Sequence, residues 1–333
     1  MRRLQARGER LTVGALPWVA PVYRAMPSVA EVVEFPFAHG GLQFAARRRI
    51  ALDFSRRPQP FDTAYVLPNS LKSALLPLFA GIPKRIGYMG ETRIGFLTHR
   101  LKNPTAKGAD KPPMVAFYSA LSGEENPKTG YQADIPKLTL NDAEVQSTLA
   151  ELGLQRGNYV VFSPGAEFGS AKRWPVPHFV DLALKLEITI VLLGSAKEFE
   201  LCEAITAAVN ENANAKANPK AKLPHKCLNL AGKTTLASAF HVIDATKCIV
   251  SNDSGLMHVA AALKVPQVAI FGSSSPLHTP PLNPVAKVIW LKNNTNYLPA
   301  LDCAPCFARE CQFGHTRCLR DISANLVLEN IPA

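Results

Sequence analysis

The sequence predicts an α/β protein built from parallel strands with helices packed on both faces, arranged in two domains. Three observations carry this. From Asn158 onward short apolar runs alternate with amphipathic segments, the pattern of successive βαβ units. Small-residue loops follow several of those runs. The 333 residues amount to about twice a typical single domain, enough chain for two cores.

Residues 159–163 and 188–193 read as buried strands, and between them Phe179, Leu182, Ala183 and Leu186 recur at helical spacing. The rhythm continues with a helix over 197–209, a strand at 227–230, a helix from Leu236, a strand at 248–251, a helix over 256–263 and a strand at 267–271. Residues 212–226, rich in Asn, Ala and Lys, read as an exposed insertion loop. In the first part, 11–16 and 63–67 are strand candidates closed by Pro17 and Pro68, and 70–79 is a helix ended by Gly81. A polar stretch at 137–157 places the boundary between an N-terminal domain over 1–150 and a C-terminal domain over 151–333. Neither part has a repeat of solenoid period.

An apolar fraction of 47% with 19% charged residues excludes collagen-like, coiled-coil and disordered chains. The net charge of +11 is uneven: residues 1–110 carry 17 Lys and Arg against 7 Asp and Glu, and the remainder carries 20 against 19. An anionic partner is therefore expected to meet the first third. The basic start Met1-Arg2-Arg3 leads into no apolar run, no stretch is long and apolar enough to span a bilayer, and the seven cysteines are an odd number. A cytoplasmic protein is the expectation.

The most informative segment is Asn252-Asp253-Ser254-Gly255-Leu256-Met257-His258. A buried strand ends, a polar turn follows, and an apolar helix begins with Asp253 or Ser254 as its cap. Ligands of open α/β sheets bind outside the carboxyl ends of strands, and free amides at a helix start favour an anion. Gly255 leaves room for a phosphate to approach. A capped helix without a ligand is the plain alternative, and His258 alone reads as a half-buried, hydrogen-bonded histidine.

Residues 163–175 form a second loop on the same rim. Gly165, Gly169, Ser170 and the adjacent Lys172 and Arg173 can neutralise a diphosphate, and Trp174 with two prolines would hold the loop in place. The turns at Gly194-Ser195 and 271–276 occupy matching positions, so four such loops together describe a nucleotide crevice. Residues 231–235 imitate a P-loop, but that motif needs a glycine where Cys227 stands, and no dinucleotide-binding fingerprint follows a strand.

Near the C-terminus lie Cys303, Cys306, Cys311, His315 and Cys318. They could hold a structural zinc, although the spacing matches neither common zinc pattern; reduced structural thiols or a facultative disulfide are the alternatives. In the first domain Asn69 or Ser70 starts a helix with Lys72 one turn in, surrounded by Arg47, Arg48, Arg49, Arg56, Arg57, Lys84, Arg85, Arg93 and Arg100. The helix-turn-helix, RRM, KH and zinc-finger signatures are absent, so nucleic acid is not the expected partner. A merely solvated basic surface stays open.

Segments 67–75, 163–169, 171–175 and 252–263 together resemble the ADP-heptose:lipopolysaccharide heptosyltransferase II family. The resemblance covers most of the chain, with the motifs in family order. It implies a GT-B fold, two Rossmann-like domains facing across a cleft, and an inverting glycosyltransferase without a metal or other cofactor. The donor would be ADP-L-glycero-D-manno-heptose and the acceptor a lipid A–Kdo–heptose at the inner face of the cytoplasmic membrane.

By that resemblance Lys172 and Asp253 are the catalytic residues. Gly165, Ala166, Ser170, Gly194, Ser195, Ser254, Gly255, Leu256 and His258 line the donor pocket with them, and Asn69, Ser70, Lys72, Arg85 and Arg93 meet the acceptor. The family also begins with a strand and a Gly-rich loop whose Asp is the general base. Met1–Arg7 resembles the tail of the helix after that loop, so the N-terminal domain is expected to lack its first strand and the chain its base. Binding of a nucleotide-sugar with little turnover, or another GT-B enzyme with a different nucleotide-sugar, are the competing expectations.

Overall fold

The computed structural model describes residues 1–38, 41–103, 111–123, 133–216 and 227–332. The chain divides into two compact units, Met1–Tyr23 with Ser28–Ala133, and Arg24–Pro27 with Asp134–Ala333. The division falls before residue 150. The helix at Asp142–Glu151 packs in the second unit, where Thr148 Oγ1 lies 2.8 Å from His241 Nδ1.

The elements of the first part are α1 (Arg2–Ala6), β1 (Thr12–Ala15), α2 (Ala20–Arg24), β2 (Glu31–Glu34), α3 (Phe44–Ser55), β3 (Thr63–Val66), α4 (Leu71–Phe79), β4 (Lys84–Tyr88), β5 (His99–Leu101) and α5 (Met114–Ser119). Its strands are parallel but form two separate sheets, β1-β2 and β3-β4-β5. The apolar contributions are correspondingly small and divided: Val66, Ala74 and Leu97 form one cluster, and Ile86, Tyr88 and Leu121 another.

The second unit holds α6 (Asp142–Glu151), β6 (Tyr159–Ser163), α7 (Val176–Lys185), β7 (Thr189–Leu192), α8 (Phe199–Lys216), β8 (Cys227–Asn229), α9 (Leu236–Asp244), β9 (Cys248–Asn252), α10 (Gly255–Ala262), β10 (Gln267–Phe271), β11 (Ala286–Trp290), α11 (Arg317–Arg320) and α12 (Ala324–Leu328). The strands form one all-parallel sheet in the order β11-β10-β9-β6-β7-β8. This is the doubly wound order, with its reversal between β6 and β9. Strands covered on both faces need continuous apolar runs, and every residue of β6, β9 and β10 is buried.

One face of this sheet packs Val160, Phe162, Ile190, Leu192, Val250 and Ile270 against Phe179 and Leu182 of α7, Ile205 of α8 and Val327 of α12. On the other, Met257 of α10 packs with Ala269 and Phe271. Helix α7 is amphipathic because Phe179, Leu182 and Ala183 fall on one side of it.

Helix α8 differs from expectation. Ser195 and Glu198 form a reciprocal capping box on a short 3-10 turn, after which the Ala-rich segment continues as α-helix to Lys216. Alanine carries the highest helix propensity, and the Asn212 amide donates to Ala208 O at 2.7 Å, so the Asn side chain works with the helix. The first five residues of the expected insertion loop are thus helical, and 217–226 lie outside the described residues.

Leu182 is fully buried between α7 and the sheet. Leu182→Ala is expected to cost about 2–5 kcal/mol of the second unit's stability, read as a lower denaturant midpoint with an unchanged slope.

Candidate functional site

Strands β6 and β9 lie side by side with Ser163 opposite Ser251, so the next residues of each chain segment emerge together at the carboxyl edge. Asn252 is fully buried there. Its Nδ2 donates to Pro164 O at 2.7 Å, with Gly165 O at 3.4 Å, and its Oδ1 accepts from Trp174 N at 3.0 Å. One side chain therefore ties the beginning and the end of the 164–174 loop to the end of β9. Trp174 anchors the same loop from below: it is 1% exposed, packs edge-on against Phe179, and donates from Nε1 to Ile322 O at 2.9 Å.

Held between these anchors, Lys172 Nζ meets Asp253 Oδ2 at 2.6 Å. The Asp253 side chain is 5% exposed and that of Lys172 18%. The second carboxylate oxygen of Asp253 accepts from Thr279 Oγ1 at 3.3 Å, and its backbone N donates to Ile270 O. The Lys172 ammonium also lies 5.5 Å from the centre of the half-exposed Phe168 ring, which Arg309 covers at 5.0 Å. A cation so placed is fixed in direction yet still reaches solvent.

Helix α10 starts beside this pair with Ser254 as its N-cap, without a side-chain capping bond. Its first amides are therefore not capped by Ser254, and the helix dipole favours negative charge there. A Cβ on Gly255 would meet nothing within 4 Å, so open space lies over the helix start. Leu256 is half-buried. His258 keeps part of its surface exposed, while packing around its ring lowers its pKa, with the Asp253 charge opposing that shift and the Lys172 charge adding to it. The buried hydroxyls of Ser251, Ser254, Ser273 and Ser274 make no hydrogen bond. Four such groups at adjoining strand ends suit a polyhydroxylated or phosphorylated ligand, since buried polar groups are normally satisfied.

Other expected donor residues have structural work. A Cβ on Gly165 would fall 1.6 Å from a Glu198 carboxylate oxygen. The absent side chain makes room for Glu198, which accepts from Ser195 N at 2.7 Å and Oγ at 3.0 Å. A Cβ on Gly194 would stand 3.0 Å from the same carboxylate. Ala166 is buried, Ser170 is exposed, and Gly169 holds φ +148° where a Cβ would run into Arg309 O.

In the first unit the expected acceptor residues are only partly available. Arg93 is 2% exposed; its Nη1 donates to Pro68 O at 2.8 Å and Nη2 to Asn69 Oδ1 at 3.3 Å and to Tyr88 O. It shapes the turn before α4 and presents no charge outward. Arg85 donates to Phe96 O and Ile82 O. Ser70 is engaged with Ser73, and the first amide of α4 donates to Glu91 Oε2 at 2.8 Å, so a carboxylate already sits at that helix start. Lys72, in the first turn of α4, is half-buried, while Arg48, Arg49, Arg56, Lys84 and Arg100 are exposed.

Sequence reasoning missed Asn252, Thr279, Glu198 and Phe168. Asn252 had a signal: an amide ending a buried strand must find partners on the neighbouring loop. Thr279 had none, because its meeting with Asp253 joins segments 26 residues apart.

The fold and site define a class, an α/β protein with a ligand crevice at the switch point of a doubly wound sheet. Residues 50–316 match the profile described as glycosyltransferase family 9 (heptosyltransferase). Lipopolysaccharide heptosyltransferase 2 of Escherichia coli strain K12 is 40% identical over 347 residues, covering 100% of this chain and 92% of that protein. Lipooligosaccharide heptosyltransferase 2 of Haemophilus influenzae is 39% identical, covering 87% and 82%. The solved structure of E. coli ADP-heptose lps heptosyltransferase II superposes with a TM-score of 0.77 at 37% identity, covering 99% of this chain and 91% of that one. The chain belongs to glycosyltransferase family 9, the heptosyltransferases, and is a glycosyltransferase.

Asn252→Ala leaves Trp174 N and Pro164 O buried without partners, so a stability loss of about 2–4 kcal/mol is expected from the stranded groups. Hydrogen exchange should quicken at Trp174 and across 164–173 more than on the far side of the sheet. Uniform exchange would contradict the bridging role.

Proposed function

We propose that this chain transfers L-glycero-D-manno-heptose from ADP-heptose to the heptose of the lipopolysaccharide inner core, with inversion at the transferred carbon. The observation that carries this reading is the Lys172–Asp253 pair beside the start of α10. Family membership and the relatives' printed names, heptosyltransferase 2 and ADP-heptose lps heptosyltransferase II, supply the donor and acceptor.

In this reading the ADP diphosphate lies over Gly255, with Lys172 Nζ and the amides of Ser254, Gly255 and Leu256 facing it. The acceptor hydroxyl attacks the anomeric carbon as the bond to the β-phosphate oxygen breaks; the hydroxyl proton passes to solvent water and ADP leaves with the bonding electrons. Negative charge grows on the leaving phosphate, where a preorganised cation and dipole stabilise the transition state more than the ground state. Asp253 aims Lys172 and offers its oxygens to sugar hydroxyls, while Ser273 and Ser274 give further hydroxyls at the rim. Ser170 and His258, both exposed, frame the opening.

The acceptor's phosphates and Kdo carboxylates meet the first unit through Lys72 and exposed arginines such as Arg48 and Arg49, with Asn69 and Ser70 shaping the α4 turn. None of the described helices is long and apolar enough to cross a membrane, and a peripheral position at the inner face of the cytoplasmic membrane fits a basic acceptor domain. A single-turnover assay tests the transfer step: bound donor that yields no product on mixing with acceptor would contradict it.

Calorimetric titration of ADP-heptose against UDP-sugars tests the donor, and tighter UDP-sugar binding would overturn it. Lys172→Met is expected to weaken ADP binding about 10–100-fold, the equivalent of one charge-assisted hydrogen bond; unchanged affinity contradicts its role. Acceptor affinity should fall with salt, because exposed charges are screened over about 8–10 Å near physiological ionic strength. Salt-independent acceptor binding would place recognition elsewhere.

A further inference from the structure

Three of the seven cysteines, Cys202, Cys227 and Cys248, are buried in the second unit's core and act as small apolar residues. The other four differ. Cys303, Cys306 and Cys311, in irregular chain, and Cys318, at the start of α11, fall within sixteen residues and, with His315, line one cavity of about 20 Å³. Nothing in the transfer reaction uses them.

The backbone around the cavity is built rather than loose. Gly314 N donates to Cys311 O at 3.0 Å and Arg317 N to His315 Nδ1 at 3.1 Å, so the chain turns tightly beside the cysteines. Thr316 holds φ 43° and Phe307 φ 52°, left-handed conformations uncommon for such residues and kept only where the surroundings demand them. Phe307 N donates to Ser273 O at 2.7 Å.

The same loop also grips the donor site. Arg309 O accepts from Ala171 N at 3.0 Å, and the Arg309 backbone lies so near Gly169 that no side chain fits there. Ala171 and Ser273 line the same cavity as the cysteines, and Lys172 is the next residue after Ala171.

We propose that Cys303, Cys306, Cys311 and Cys318 bind one tetrahedral transition-metal ion, zinc or iron, which pins the 303–318 loop against the loop carrying Lys172. Four sulfur ligands in tetrahedral array suit these two metals. Binding takes up the ion and releases the four thiol protons, and no electron transfer is involved. Among the described residues no three ligand side chains already stand in coordinating positions, so binding requires the thiols that line the cavity to turn toward the ion. The ion is a structural clip, distinct from the transfer chemistry, and the inference holds whichever sugar is transferred.

The test uses the full chain, expressed without a histidine tag in zinc-supplemented and iron-supplemented media, with metal measured by plasma mass spectrometry. About one equivalent of zinc or iron per chain is expected, with the two media distinguishing the metals. Cobalt(II) added to the metal-stripped, reduced protein should give the intense thiolate-to-cobalt bands of a four-sulfur site, saturating at one equivalent. Cys306→Ser and Cys311→Ser should each weaken that spectrum, while Cys202→Ser should not. Metal removal should speed hydrogen exchange at Ala171 and across 313–316. Below a tenth of an equivalent in folded protein with no cobalt spectrum, or isolation with these cysteines joined in disulfides, would overturn the proposal.

Discussion

The carboxamide of Asn252 is the constraint on which the site depends. At the reversal of a doubly wound sheet two neighbouring strands send their chains in opposite directions, and a crevice opens between the loops that follow. Something must hold those loops at a fixed spacing. Asn252 does so by using both ends of its amide, donating to Pro164 and accepting from Trp174. The 164–174 loop thereby becomes a closed bridge, and Lys172 projects from its far limb onto Asp253, one residue beyond the asparagine. Because Asn252 has no contact with solvent, its bonds are not traded for water and the geometry is stiff.

Much of the second unit was legible because its strands are covered on both faces. The run Gln267–Phe271 is short, apolar after its first residue and bounded by Pro266 and Gly272, and it forms a strand over that same span. Helix α10 was legible for a different reason, a polar turn giving way to Met257, Val259 and Ala260. Local sequence was less informative where long-range partners decide a residue's role. Gly165 has the composition of a ligand loop, but its missing side chain accommodates Glu198 from thirty-three residues away. Arg93 belongs to a basic cluster by sequence, yet its guanidinium is consumed by the carbonyls of Pro68 and Tyr88.

Charge in the first unit must accordingly be divided into what is displayed and what is spent. Arg47 lies buried over the Phe37 ring with Nε donating to Leu42 O, and Arg57 forms a two-pronged pair with Glu31. With Arg85 and Arg93, these cations orient loops and helices. An anionic acceptor would be met by the exposed remainder, whose attraction is long-ranged and screened by salt. The donor site proposed for the second unit would work the other way: Lys172, aimed by the nearly buried Asp253 carboxylate, would act at short range on one developing charge.

The most direct test of this account is a crystal structure of the chain with ADP bound. The β-phosphate is expected within hydrogen-bonding distance of Lys172 Nζ and of the backbone amides at Gly255 and Leu256, with Asn252 still joined to Pro164 and Trp174. Bound ADP whose phosphates lie away from the β6–β9 switch point, leaving Lys172 paired only with Asp253, would contradict it.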